Sequence, residues 1–352
     1  MADTLIPGAL PQYTVLAGRY TVLEARGKGG FGITYRALDN KQETGRRQVA
    51  IKECFIKELM CYRAEDGKSV LTPQGNETAF QKAQEYILRE AYTLKDLVHP
   101  GIVRYHGFFS ENNTCYCVMD WLDGGSLRDR MNTPDQLSAD ASQDWLSKLL
   151  DALDYMHRKE IVHRDLRPDN IMFDSAYEAG NAPIIIDFGI ALNRQMNREL
   201  ECHTTKTAQT PGYAPLEQDE HSTLKIGAYT DLYALCATWY ELLTGVCPPR
   251  AQARRQKDKL SPLWRVNRRM DYPVDLLVTI QQNLALLPEE RCSSVADWHT
   301  FRQKMARRIQ REGEGKWLDA LAPSAAPRKR KKQSFLSTLR HTVSSIFTRG
   351  GR

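Results

Sequence analysis

Four glycines lie in the run Gly27-Lys28-Gly29-Gly30-Phe31-Gly32, directly after the strand-like segment Tyr20–Leu23. Glycine has no Cβ, so backbone N–H groups in such a run can come close to phosphate oxygens. The same spacing marks dinucleotide-binding folds, but those require a helix after the glycines. Here Ile33-Thr34-Tyr35 is β-branched and continues as strand, which suits a hairpin lying over a nucleotide and leaves an ordinary glycine turn as the alternative. Twenty residues after Gly32, Lys52 ends the apolar segment Val49-Ala50-Ile51. A buried ammonium without a partner is costly, so Lys52 needs an anion. The helical segment that follows supplies Glu85 and Glu90, and Glu90 borders its apolar stripe, one position before Ala91 and four before Leu94. From these residues alone, the pair is either a structural salt bridge or part of a phosphate site.

Further along stands His163-Arg164-Asp165-Leu166-Arg167-Pro168-Asp169-Asn170, and seventeen residues after Asn170 comes Asp187-Phe188-Gly189, behind the apolar strand Ile184–Ile186. In order, the glycine run, Val49-Ala50-Ile51-Lys52, the loop with Asp165 and Asn170, and Asp187-Phe188-Gly189 resemble the motifs of the eukaryotic-like (Hanks-type) serine/threonine protein kinases. The resemblance covers about residues 19 to 310, and Gly30–Tyr35 and Tyr213–Gln218 look more like bacterial members than animal ones. It implies an enzyme that uses ATP with Mg²⁺ or Mn²⁺ and acts on serine and threonine hydroxyls of protein substrates. Gly27, Lys28, Gly29, Gly30, Phe31 and Gly32 would cover the phosphates, Lys52 would hold them, and Glu90 would orient Lys52. Asn170 and Asp187 would bind the metal, and Asp165 would accept the proton of the substrate hydroxyl. Met119 resembles the gatekeeper, with Asp120 to Leu122 as the hinge that reads adenine.

By the same resemblance, Thr210–Glu217 closes an activation segment, Glu217 pairs with Arg291, and Asp231 braces the catalytic loop. Thr204, Thr205 and Thr207 are candidate phosphosites that Arg164 would bind once modified. Several positions depart from the family pattern. Arg167 stands where a lysine usually contacts the γ-phosphate; the charge survives, but a guanidinium is flatter and bulkier. Thr34 replaces an adenine-packing valine, and Gln209, Pro215, Leu216 and Cys236 also differ from the usual residues. Between Lys52 and Glu90 lie 37 residues, with Cys54 to Gly75 an apparent insert of no assigned role. The alternative to an active kinase is a pseudokinase scaffold that binds nucleotide and docks through its tail.

These residues need two kinds of support. Tyr20–Leu23, Ile33–Tyr35, Gln48–Lys52, Val103–Tyr105 and Cys115–Met119 read as strands, interrupted by one helix over Thr78–Leu97. After Gly124-Gly125 the pattern turns helical, most clearly over Ser142–Arg158, where Trp145, Leu146, Leu149, Leu150, Leu153 and Met156 share a face. The expected fold is α+β and bilobal, a β-rich N-lobe (about 19–119) followed by a helical C-lobe (about 120–312). An extension (1–18) precedes them; a linker (313–327) and a basic amphipathic tail (328–352) follow.

The 352 residues, 41% hydrophobic and 26% charged, suffice for a folded core and exclude a fibrous or wholly disordered chain. No apolar run approaches the roughly 18 residues needed to cross a bilayer, and Met1–Gln12 does not read as a secretory signal. The eight cysteines are scattered without a CxxC pair, so buried thiols are expected rather than disulfides or zinc ligands. Cys115 and Cys117 would share one strand face.

Net charge is +6, but residues 328–352 hold eight of the 49 basic residues and no acidic one, which leaves −2 for the rest. There Arg328–Lys332 is followed by an apolar stripe, Phe335, Leu336, Leu339, Val343, Ile346 and Phe347. The expectation is a cytoplasmic protein whose tail docks on an anionic membrane surface, at the inner face, or on a partner protein, rather than on nucleic acid. A solvated disordered tail is the alternative.

Overall fold

Short runs rich in β-branched and aromatic residues make the first part of the chain fold as strands. The computed structural model describes residues 6–28, 32–41, 47–133, 137–175, 182–188, 192–193, 210–219, 221–267 and 271–313. Strands β1 (Val15–Leu16), β2 (Tyr20–Lys28), β3 (Gly32–Asp39) and β4 (Arg47–Cys54) come first, and the short strands β5 (Tyr62–Arg63) and β6 (Val70–Leu71) form a hairpin. Helix α1 (Glu77–Leu94) and strands β7 (Tyr105–Glu111) and β8 (Thr114–Asp120) complete the lobe. Among the described residues, six strands form one antiparallel sheet in the order β1-β2-β3-β4-β8-β7.

The sheet contributes to two clusters of buried side chains. Val49 and Ile51 of β4 pack with Tyr35, Tyr116 and Val118. Ala50 packs instead with Ala91, Cys117 and Met119, on the side of α1 and the helical lobe. Period two therefore puts Lys52 on the face of Ala50, and Glu53 on the face of Ile51.

The helical lobe contains α2 (Leu127–Met131), α3 (Ala139–Arg158), the short strands β9 (Ile161–Val162), β10 (Ile171–Phe173), β11 (Pro183–Ile185) and β12 (Leu192–Asn193), and helices α4 (Ala228–Thr244), α5 (Ala251–Gln256), α6 (Leu263–Val266), α7 (Val274–Asn283) and α8 (Val295–Glu312). The stripe expected on α3 is buried, and the helix starts at the Ser138 cap, whose hydroxyl accepts from Ala141 N–H at 3.1 Å. Helix α4 is buried nearly all round, from Thr230 to Leu243, which makes it the central helix of the lobe. It ends at Gly245, φ 77°, a left-handed cap that glycine adopts without strain. The chain divides into two compact units, residues 1–308 and 309–352; of the second, the described residues continue as helix to Glu312.

Two expectations need adjustment. Helix α1 stops at Leu94, and Leu97 is buried outside it, 2% exposed. Val103 and Arg104 do not join β7, because Gly101 and Val103 pair instead with Ile185 of β11, through Ile185 N–H to Gly101 O (2.9 Å) and Val103 N–H to Ile185 O (3.0 Å). Among the described residues, seven cysteines are free thiols.

Candidate active site

The loop between β9 and β10 has no repeating backbone pattern, so side chains must hold it. The carboxylate of Asp231, wholly buried in α4, accepts from the backbone N–H of His163 (2.9 Å) and of Arg164 (2.8 Å) and from His157 Nε2 (2.9 Å). Burial pushes this carboxyl up, but the hydrogen bonds and the facing histidines outweigh it and leave it below the ordinary value. Arg164 takes φ 72° and Asp187 φ 59°, the left-handed region that costs a non-glycine residue energy and tends to occur where function requires it. His163 Nε2–H donates to Ile186 O at 2.9 Å, and its ring meets Phe188 edge-on at 4.8 Å. The catalytic-loop candidate and the Asp187-Phe188 turn are thereby locked together.

Asp165 lies at the centre. Its Oδ1 accepts from the Thr210 hydroxyl at 2.7 Å, and its Oδ2 accepts from Asn170 Nδ2 at 2.9 Å. Asn170 Nδ2 also reaches Asp165 O at 2.8 Å. Burial raises the Asp165 carboxyl above its ordinary value and the charge of Asp187 adds to that, against the Thr210 hydrogen bond and the nearby His163 and Arg167. From strand β4, Lys52 Nζ forms an ion pair with Asp187 Oδ1. Lys52 thus pairs with Asp187, Asp165 holds Asn170 and Thr210, and the two groups are near enough for the charge of Asp187 to act on Asp165.

A divalent cation fits this donor set. Asn170 spends its amide nitrogen on Asp165, so its amide oxygen is what it could offer a cation, and Asp187 could offer its carboxylate. Two hard oxygen donors suit Mg²⁺, which keeps several waters and takes phosphate oxygens as further ligands.

The remaining candidates are placed as follows. Gly27 and Lys28 end β2, and Gly32 opens β3 so close to β4 that a Cβ would meet Glu53 O at 2.0 Å. Gly29, Gly30 and Phe31 lie outside the described residues, as do Thr204, Thr205, Thr207 and the tail 328–352. Glu90 belongs to α1, but its side chain is outside the described set. Met119 and Leu122 are buried, and Asp120 between them pairs with Arg47 and accepts from His106 Nε2 at 2.7 Å.

Several contacts were not foreseen. Arg167 is paired with Asp169, through Nε at 3.0 Å and Nη2 at 2.9 Å, a neighbour that spacing alone did not single out. Arg128 in α2 donates to Glu241 Oε1 at 2.7 Å and to the Tyr213 hydroxyl at 2.8 Å, which ties the end of the activation segment to α4. By contrast, the expected fork of Arg291 on Glu217 is present, at 2.6 and 3.1 Å, with both side chains fully buried.

Comparison with known proteins agrees with this geometry. A family model described as the protein kinase domain matches residues 20–297. Serine/threonine-protein kinase PknA of Nostoc sp. is 30% identical over 289 residues, which cover 80% of this chain and 46% of that protein. Serine/threonine-protein kinase C of Synechocystis sp. is 32% identical over 285 residues, covering 80% and 48%. The chain spans just under half the length of these curated relatives. A solved structure described as the PpkA-294 apo form matches with a TM-score of 0.70 at 29% identity, covering 84% of this chain and 99% of that one. The kinase domain of Mycobacterium tuberculosis PknI matches with a TM-score of 0.56 at 21% identity, covering 84% and 100%, a likeness of fold alone.

Proposed function

The chain belongs to the protein kinase family, and from that premise we propose that it transfers the γ-phosphate of ATP to serine and threonine hydroxyls of proteins. The observation that carries this reading is Asp165, a carboxylate whose two oxygens accept from a threonine hydroxyl and from Asn170. A carboxylate already able to accept from a threonine hydroxyl is suited to take the proton of a substrate hydroxyl and aim its oxygen. Lys52 would hold the triphosphate from the sheet side, Glu90 would orient it, and the glycine run would cover it. Backbone groups of Asp120 and Leu122 would read the adenine. Asn170 and Asp187 would hold Mg²⁺, which neutralises the triphosphate when bound. Arg167 would keep a positive charge near the transferred group while its partner Asp169 restrains it.

The domain reading goes with the activity: residues 19–312 would carry catalysis, and 1–18, 313–327 and 328–352 would be extension, linker and tail. The tail would hold the enzyme on an anionic membrane surface from the cytoplasmic side, by its basic cluster and apolar stripe. No described helix is long and apolar enough to cross a membrane. Co-sedimentation with anionic vesicles, full chain against a chain ending at Pro327, checks this: pelleting that depends on the tail and vanishes at high salt is expected. Phosphate on Thr204, Thr205 or Thr207 would meet Arg164 and order the activation segment.

Incubation with Mg·ATP followed by phosphosite mapping tests the main reading. Phosphoserine and phosphothreonine are expected; absence of phosphate transfer, or transfer to tyrosine alone, would refute it.

A further inference from the structure

Glu53, the neighbour of Lys52 on the opposite face of β4, is a fully buried carboxylate (0% exposed). A buried carboxylate is tolerated only when its charge and lone pairs are answered. Tyr35 donates its hydroxyl to Oε2 at 2.7 Å and Tyr116 donates to Oε1 at 2.9 Å. The charge is answered by Arg63 of β5, within the insert: Nη1 donates to Oε1 at 2.8 Å and Nη2 bonds Oε2. The fork is itself held from two sides, since Arg63 Nε donates to Gly8 O at 2.8 Å and Nη1 to Lys68 O at 2.6 Å.

The N-terminal segment and the insert reach the glycine run as well. Lys28 Nζ donates to Pro7 O at 2.8 Å and lies 4.6 Å from the ring centroid of Phe55, the ring that Arg63 covers from 5.0 Å. Leu10 N–H donates to the Tyr35 hydroxyl at 3.1 Å. On the other flank of the run, Gly32 packs on Glu53 O so closely that no side chain fits between them. One polar cluster therefore touches both ends of the glycine run and the residue next to Lys52, all from behind the sheet.

We propose that Arg63 is a positioning residue: by answering Glu53 and anchoring to the N-terminal segment, it fixes the end of β4 and the glycine run relative to each other, so that Lys52 and the run engage the same triphosphate. This assigns the insert a role and rests on the kinase reading above. Lys52 and Glu53 share a peptide unit, so a shift of Glu53 moves Lys52, and displacements near 1 Å at a remote site are enough to cost catalysis heavily. Arg63 touches no reacting atom; it acts through β4.

The test compares the full chain with Arg63→Met and with Ile280→Ala, a cavity variant in the core of the helical lobe. Melting is followed by circular dichroism, affinity by a fluorescent Mg·ATP analogue, and kcat and KM for ATP with casein as substrate. Arg63→Met is expected to weaken nucleotide affinity and raise KM about tenfold, while Ile280→Ala lowers the melting temperature with affinity unchanged. Wild-type affinity and KM in folded Arg63→Met, or equal losses in both variants, would overturn the proposal. Should Arg63→Met not fold, Arg63→Gln, which keeps donors without charge, is judged by the same criterion. Absence of phosphotransfer in the unmodified chain would sink the kinase reading, whereas normal affinity in the Arg63 variant sinks only this one.

Discussion

The catalytic loop and the strand that carries Lys52 solve the same problem, fixing one charged side chain, by opposite means. Strand β4 is held by ladders on both sides, Thr34 opposite Lys52 on β3 and Cys117 opposite it on β8, so regular backbone pairing sets where the ammonium points. The loop around Asp165 has no ladder and relies on individual side chains, above all buried Asp231 and His163. The difference teaches where single substitutions should matter. A ladder shares its load over many bonds except at its end, where β4 relies on Arg63, whereas a loop braced by a few buried polar groups fails when any one of them is removed.

Removing Arg291 is the strongest way to break that contrast on the helical side, because Glu217 would be left as an uncompensated charge in a dry site. Arg291→Met should cost about 3–5 kcal/mol of stability in urea unfolding. A loss below 1 kcal/mol would show that polar bracing counts for less here than packing.

Next in size is Lys52→Met. The ladder should keep β4 in place, so melting stays near that of the unmodified chain while turnover falls about a hundredfold, roughly 2.7 kcal/mol of transition-state stabilisation. A large melting loss would mean that the Lys52–Asp187 pair holds the fold together.

The pH profile sharpens the comparison at Asp165. On the proposed mechanism catalysis needs the ionised carboxylate, so with its pKa raised by burial the acidic limb of kcat/KM is expected above the ordinary aspartate value of about 3.9. Thr210 donates to the ionised form and so pulls the pKa down; Thr210→Ala should therefore move that limb to higher pH. A limb that stays put or falls would contradict the assigned hydrogen bond.

The smallest effect is expected on the surface of α3. Lys148 and Asp144 pair at 3.1 Å with Lys148 half-buried and Asp144 exposed, and Lys148→Ala should change stability by no more than about 0.5 kcal/mol.

Much of this arrangement was legible from residue types. The strand ending at Lys52 is plain in Val49–Ile51, and the α3 stripe in Trp145–Met156. The pairing of Glu217 with Arg291 and the bracing by Asp231 were readable only through resemblance, since nothing local connects residues 74 or 68 positions apart. Arg63 and Glu53 stand only ten positions apart, yet their pairing was invisible. Two-residue strands such as β5 and β6 give too few alternations to show a pattern, and a charged residue in an insert looks solvated. Val103 was misplaced for a similar reason: β-branched residues favour extended backbone, but only the fold decides whether the partner is β8 or Ile185.

The central claim is that Asp165 performs the proton and positioning chemistry while other groups hold the nucleotide. Turnover and Mg·ATP affinity of Asp165→Asn, measured side by side on the full chain, test it most directly. The account predicts turnover lower by about 10²–10⁴-fold with affinity within about twofold of the unmodified protein. Unchanged turnover would contradict it.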